Sequence, residues 1–148
     1  MVKIYQGGST GLVQQSKKSL RKYTTKSGRG IQREIKDTLK GMFKFDIVIM
    51  QFGVYFKVIE EDAIFFKNEF NFKVSQPGSY TYEVTGFPLN VKEKYSNKLQ
   101  NLNKTFCILE QFGKAPNITR EVIESTSEKA SGITFSRLSI CISFQKLH

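Results

Sequence analysis

The chain has a single histidine, and it is the last residue, His148. An imidazole at a chain end is poorly held as a general base or a zinc ligand, so the commonest hydrolytic centres have nothing to build on. Tryptophan is absent, and the only cysteines, Cys107 and Cys141, each lie within an apolar run. Such thiols read as buried and reduced, not as a disulfide or a metal pair. No apolar run reaches the ~18 residues of a membrane-spanning helix. The opening MVKIYQGGSTGL also lacks the apolar core of a signal peptide. The expectation is a cytoplasmic protein without membrane contact, and the sequence offers no cofactor or metal site.

Acids are scarce too: 13 Asp and Glu stand against 23 Lys and Arg, a formal charge of +10. The imbalance is local. Residues 1–44 carry eleven Lys or Arg and only Glu34 and Asp37 as acids, whereas the remainder is close to neutral. A basic arm on a neutral body is the electrostatic footprint of a polyanion binder. Lys17, Lys18, Arg21, Lys22, Lys26, Arg29 and Arg33 are the candidate phosphate contacts. A merely solubilising basic tail is the alternative.

Residues 1–30 are rich in Gly, Ser, Thr, Gln and Lys without periodicity and read as a flexible arm, hinged at Lys26-Ser27-Gly28-Arg29-Gly30. The GGSTG at 7–11 lacks the Lys-Ser/Thr ending of a phosphate loop and reads as a turn. From Ile31 the period is helical, with Ile31, Ile35, Leu39 and Met42 on one stripe. Phe45–Phe52 and Val54–Ile59, joined at Gly53, predict a tight hairpin. Glu60, Glu61 and Asp62 then open a helix, where the dipole favours acids; Ala63, Phe66 and Phe70 continue its apolar face. Short strands are predicted at 72–75 and 80–85, the second stopped by Gly86-Phe87-Pro88. A helix follows over 91–101, with Val91, Tyr95, Leu99 and Leu102 aligned, then strands over 105–111 and 118–125. The stretch from Ile133 to Leu147 alternates as a strand would. This order predicts an α+β fold, a mixed β-sheet flanked by helices.

Catalysis has little support. Glu60, Glu61 and Asp62 could bind magnesium, but acids in a first helical turn are usually there for the dipole. The chain reads as a non-enzyme, with a small nuclease working from Lys, Tyr and carboxylates as a minority alternative.

One segment carries a resemblance. Ile49-Met50-Gln51-Phe52-Gly53-Val54-Tyr55-Phe56-Lys57-Val58-Ile59-Glu60-Glu61-Asp62-Ala63 resembles the opening of the N-terminal mismatch-recognition domain (domain I) of the MutS DNA mismatch-repair family. There an apolar strand and a glycine precede an acid, Phe-Tyr-Glu, and an acidic pair opening a helix. The similarity continues in order through Thr85-Gly86-Phe87-Pro88, Glu93-Lys94-Tyr95-Ser96-Asn97-Lys98-Leu99, Cys107-Ile108-Leu109-Glu110-Gln111 and Arg120-Glu121-Val122-Ile123-Glu124. It covers about residues 31–128, which leaves 1–30 as the basic arm and 129–148 as a C-terminal extension. The Thr-Pro-Gly-Thr that usually follows the last motif is missing.

The resemblance implies a mixed sheet flanked by helices and a ring that stacks on a mispaired base from the minor groove. In this chain Tyr55 stands where the family has that Phe, and Lys57 where it has a Glu that hydrogen-bonds the base. Strand alternation then sends Tyr55 outward and Phe56 into the core. The expected function is a non-catalytic nucleic-acid-binding protein, with DNA ahead of RNA, lacking the family's ATPase and clamp. Whether mismatches are preferred is open, because an ammonium replaces a carboxylate at Lys57. The alternative is an adaptor subunit of a larger nucleic-acid enzyme or mobile element. A protein partner or second copy would then join through the C-terminal stretch by strand addition.

Overall fold

A computed structural model of the chain describes residues 22–25, 31–75 and 82–137, the first four as backbone only. Seven strands form one mixed sheet: β1 (Lys22–Thr25), β2 (Ile47–Phe52), β3 (Tyr55–Ile59), β4 (Val84–Pro88), β5 (Phe106–Phe112), β6 (Thr119–Ser125) and β7 (Thr134–Arg137). Their order across the sheet is β1-β7-β6-β5-β2-β3-β4. The pairs β2/β5 and β1/β7 are parallel and the other four antiparallel, so the predicted α+β fold with a mixed sheet is what forms. Three helices pack on it: α1 (Ile31–Phe43), α2 (Glu61–Phe70) and α3 (Lys92–Asn101).

The two faces of the sheet bury different chemistry. On one, Ile35 and Leu39 of α1 pack with Val48, Met50, Cys107, Leu109 and Val122, while Ile31 and Met42 flank them, as the helical stripe requires. Cys107 is a free buried thiol, as expected; Cys141 lies outside the described residues. On the other face, α2 and α3 close over a cluster of rings. Phe66 stacks on Phe87 at 6.1 Å, and Tyr95 lies 4.8 Å from Phe87. Phenylalanine, and not tryptophan, supplies this layer, so few buried polar ring atoms need partners.

Two expectations need correcting, at 86–88 and at 72–75, and two others are narrowed. Within the stretch read as a basic flexible arm, Lys22–Thr25 pairs in parallel with Thr134–Arg137 and is the outermost strand on that side among the described residues. The remainder of residues 1–30 lies outside the described residues. Gly86-Phe87-Pro88 does not stop a strand but forms its second half, paired with Tyr55-Phe56-Lys57. Pro88 is tolerated because β4 is an edge strand. Residues 72–75 contribute only an isolated bridge from Ser75 to Val84. The alternating C-terminal stretch does form a strand, over Thr134–Arg137; residues 138–148 lie outside the described residues. A smaller difference concerns α3, which is preceded by a 3-10 turn at Leu89–Val91 and leaves Leu102 exposed.

Candidate nucleic-acid interface

The hairpin β2–β3 turns on Gly53 and Val54, with Phe52 opposite Tyr55. Gly53 has φ +66, the left-handed conformation that short hairpin turns demand and glycine adopts without steric cost. Alternation then separates the neighbouring rings. Phe56 is 2% exposed and belongs to the aromatic core, whereas Tyr55 is 48% exposed and Val54, at the tip, 70%. The outward assignment of Tyr55 and the inward assignment of Phe56 both hold. Register fixes the face as well: Tyr55 and Lys57 lie opposite Phe52 and Met50, on the α1 side of the sheet.

The tip is braced from the neighbouring strands. The Gln51 side chain donates to the Gly53 carbonyl at 2.9 Å and accepts from the Gln111 N–H at 2.8 Å. Gln111 Oε1 accepts from the Gly53 N–H at 3.1 Å and from Arg120 Nη2 at 3.3 Å. Arg120 Nε donates to the Gln51 carbonyl at 2.9 Å, and its guanidinium lies 3.7 Å from the centre of the Phe52 ring. Burial pulls the Arg120 pKa down to about 10, still far above neutrality, so the cation persists. Gly53 is thus held through both its N–H and its carbonyl by a frame of two amides, one cation and one ring. The Gln51, Gln111 and Arg120 frame is absent from the sequence reading. Its only trace there is that Gln51, Gln111 and Arg120 each fall within one of the resembling stretches.

A second cluster ties α1 to the start of α2. Arg33 Nη2 lies 2.6 Å from Glu60, Lys36 Nζ 2.7 Å from Glu60 and 2.8 Å from Glu61, and Lys40 Nζ 2.9 Å from Glu61 and 2.6 Å from Asp62. Asp62 is fully buried, and its other oxygen accepts from the Val48 N–H at 3.0 Å. Desolvation raises its pKa to about 6 despite the bond from Lys40. Burial works to raise Glu61 as well, but hydrogen bonds from Lys36 and Lys40 overcome it and bring the pKa to about 2. For Lys36 burial opposes the charge, and the hydrogen bonds it donates to Glu60 and Glu61 outweigh it, leaving the pKa above its ordinary value. The three acids serve as counterions to α1. No group of three His, Cys, Asp or Glu able to hold a metal occurs among the described residues.

One candidate contact, Arg33, belongs to this cluster. Arg33 is ion-paired with Glu60, lies 4.9 Å from the centre of the Tyr82 ring and stays exposed to solvent. Lys57 is half-buried beside Tyr55. Lys22 is placed as backbone only, in β1, and Lys17, Lys18, Arg21, Lys26 and Arg29 lie outside the described residues. Among the described residues no helix is long and apolar enough to cross a membrane.

A mixed sheet flanked by helices is the fold the resemblance implies, and comparison with known families agrees. The family model for MutS domain I matches residues 34–131, most of the chain. The chain belongs to the MutS domain I family. Comparison with curated proteins finds no match.

Proposed function

We propose that this chain is a non-catalytic nucleic-acid-binding domain, with DNA as the preferred ligand. Tyr55 is its stacking ring, Lys57 an adjacent phosphate contact, and Lys17, Lys18, Arg21, Lys22, Lys26 and Arg29 the electrostatic arm. One observation carries the reading: a flat ring is held half in solvent at the tip of a braced hairpin, while its neighbour Phe56 is wholly in the core. Membership of the MutS domain I family and the charge of +10 support it. Base stacking on such a ring is worth about 1–3 kcal/mol per base, and the arm adds a salt-sensitive phosphate term.

The test is an anisotropy titration of labelled duplex DNA at several salt concentrations, with the wild type and Tyr55→Ala. If five or six arm cations meet phosphates, the log–log slope has a magnitude of about 5. A slope near zero, together with unchanged affinity on losing the ring, overturns the reading. A chain that binds no nucleic acid even at low salt would instead favour the adaptor role.

A further inference from the structure

Building on the nucleic-acid reading above, we propose that the Tyr55–Lys57 site takes an unpaired nucleotide, in a single strand or a loop, and does not prefer mispaired over paired duplex. The argument begins with what surrounds Lys57. Its cross-strand partners are Met50 and Gly86, one buried and apolar, the other without a side chain. Its diagonal neighbours on the same face are Val48 and Phe52 on β2, and Val84 and Pro88 on β4. None carries a carboxylate, and among the described residues Lys57 makes no ion pair. Arg33, Lys36 and Lys40, by contrast, are all matched with acids. Lys57 is therefore a half-buried ammonium with its counterion still to come from outside.

Tyr55 and Lys57 are two apart on one strand, so they share a face about 7 Å from each other along it. A base on the ring then brings its own phosphate, one sugar away, within reach of the ammonium. The same pair is badly equipped for mismatch reading. An ammonium only donates, so it cannot accept the N–H of a displaced base. The amide oxygens that brace the turn, Gln51 Oε1 and Gln111 Oε1, already accept bonds there. Nothing at the tip rewards one base edge over another, and stacking on a ring is tolerant of sequence. Entering a duplex costs unstacking, whereas an unpaired nucleotide has already lost its neighbours.

The experiment titrates the full chain with a short labelled single strand, its matched duplex, and that duplex carrying one G·T mismatch. Wild type, Tyr55→Phe, Tyr55→Ala and Lys57→Gln are compared after a melting curve shows each folded. The single strand should bind about tenfold tighter than either duplex, and the two duplexes within about twofold of each other. Tyr55→Ala should weaken single-strand binding about tenfold and Tyr55→Phe restore it. Lys57→Gln should lower the magnitude of the single-strand salt slope by about 0.7, the loss of one phosphate contact. Preference for the mismatched duplex, or a salt slope untouched by Lys57→Gln, overturns this inference while a Tyr55→Ala defect still upholds the stacking site. If Tyr55→Ala changes binding to none of the three ligands, the stacking site itself fails, and this inference with it.

Discussion

Asp62 holds Lys40 at 2.6 Å across the junction between α1 and α2, with the carboxylate fully buried and its second oxygen on the Val48 N–H at 3.0 Å. One side chain thereby joins a helix on one face of the sheet, a helix on the other, and a central strand between them. Asp62→Ala removes the charge partner and leaves the Val48 N–H without an acceptor. We expect a loss of about 3 kcal/mol, the low end for a broken buried pair, because Lys40 still reaches Glu61 at 2.9 Å. Urea unfolding of the two proteins measures it.

The same residue predicts the pH dependence of stability. The folded pKa of Asp62, about 6, lies above its ordinary 3.8, so folding takes up a proton there. Its contribution is fully present below 3.8 and is lost as pH rises through about 6. Glu61 runs the other way: lowered from 4.5 to about 2, it stabilises above 4.5 and loses that contribution as pH falls toward 2. Glu60, also lowered, reinforces the acid side. The urea midpoint should therefore fall between pH 4.5 and about 6 in the wild type, and stay flatter over that window in Asp62→Asn.

That junction also marks the limit of what the sequence makes legible. Alternation and helical period are local, and they place the hairpin, the stripe of Ile35 and Leu39, and the opposed directions of Tyr55 and Phe56 correctly. The ion cluster is not local. Lys36 looks like part of the polar side of a helix, yet it is 3% exposed, because its partners arrive from Glu60 and Glu61, more than twenty positions away. The acids after Ile59 satisfy the dipole rule so well that no second role is called for. The bracing of the tip by Gln111 and Arg120 is hidden for the same reason, since it needs β5 and β6 beside β2.

Gly86 shows a different failure of local reading. Beside Pro88 it looks like a strand breaker, but it lies within β4 because a Cβ there would fall 2.2 Å from the Phe56 carbonyl oxygen. The contact is with backbone, so no side chain can rotate away. Gly86→Ala should separate β3 from β4 and destabilise the fold by about 1–3 kcal/mol, as overpacking does. A melting temperature equal to the wild type would show that the edge strand yields without cost.

Arg120 offers a test of the brace. Lysine keeps a charge but loses the planar fork that bonds Gln51 and Gln111 while stacking on Phe52. Arg120→Lys should lower stability by about 1–2 kcal/mol, the worth of a hydrogen bond to a charged group with partial replacement. It should also speed hydrogen exchange at the Gly53 amide, which Gln111 holds at 3.1 Å. Faster exchange at Gly53 with core amides unchanged would show that Arg120 stiffens the tip; uniform acceleration would show only a global loss of stability.

The two adjacent rings give the most direct test of how the hairpin divides its labour. Phe56 is wholly enclosed: it meets Phe87 at 5.8 Å in the aromatic layer under α2 and α3. Phe56→Ala leaves a cavity there and should cost about 3–5 kcal/mol. Tyr55 is half in solvent, with Phe52 and Pro88 as its strand neighbours, and its removal empties no closed space. Tyr55→Ala should change stability by less than about 1 kcal/mol, as surface substitutions do. The binding defects should fall in the opposite order among protein that remains folded. Melting curves and titrations on both variants decide it. If Tyr55→Ala unfolds the chain and Phe56→Ala does not, Tyr55 is a core residue and the ligand-facing role assigned to it is lost. If Tyr55→Ala folds and binds as the wild type does, the hairpin keeps the family's shape without its stacking site.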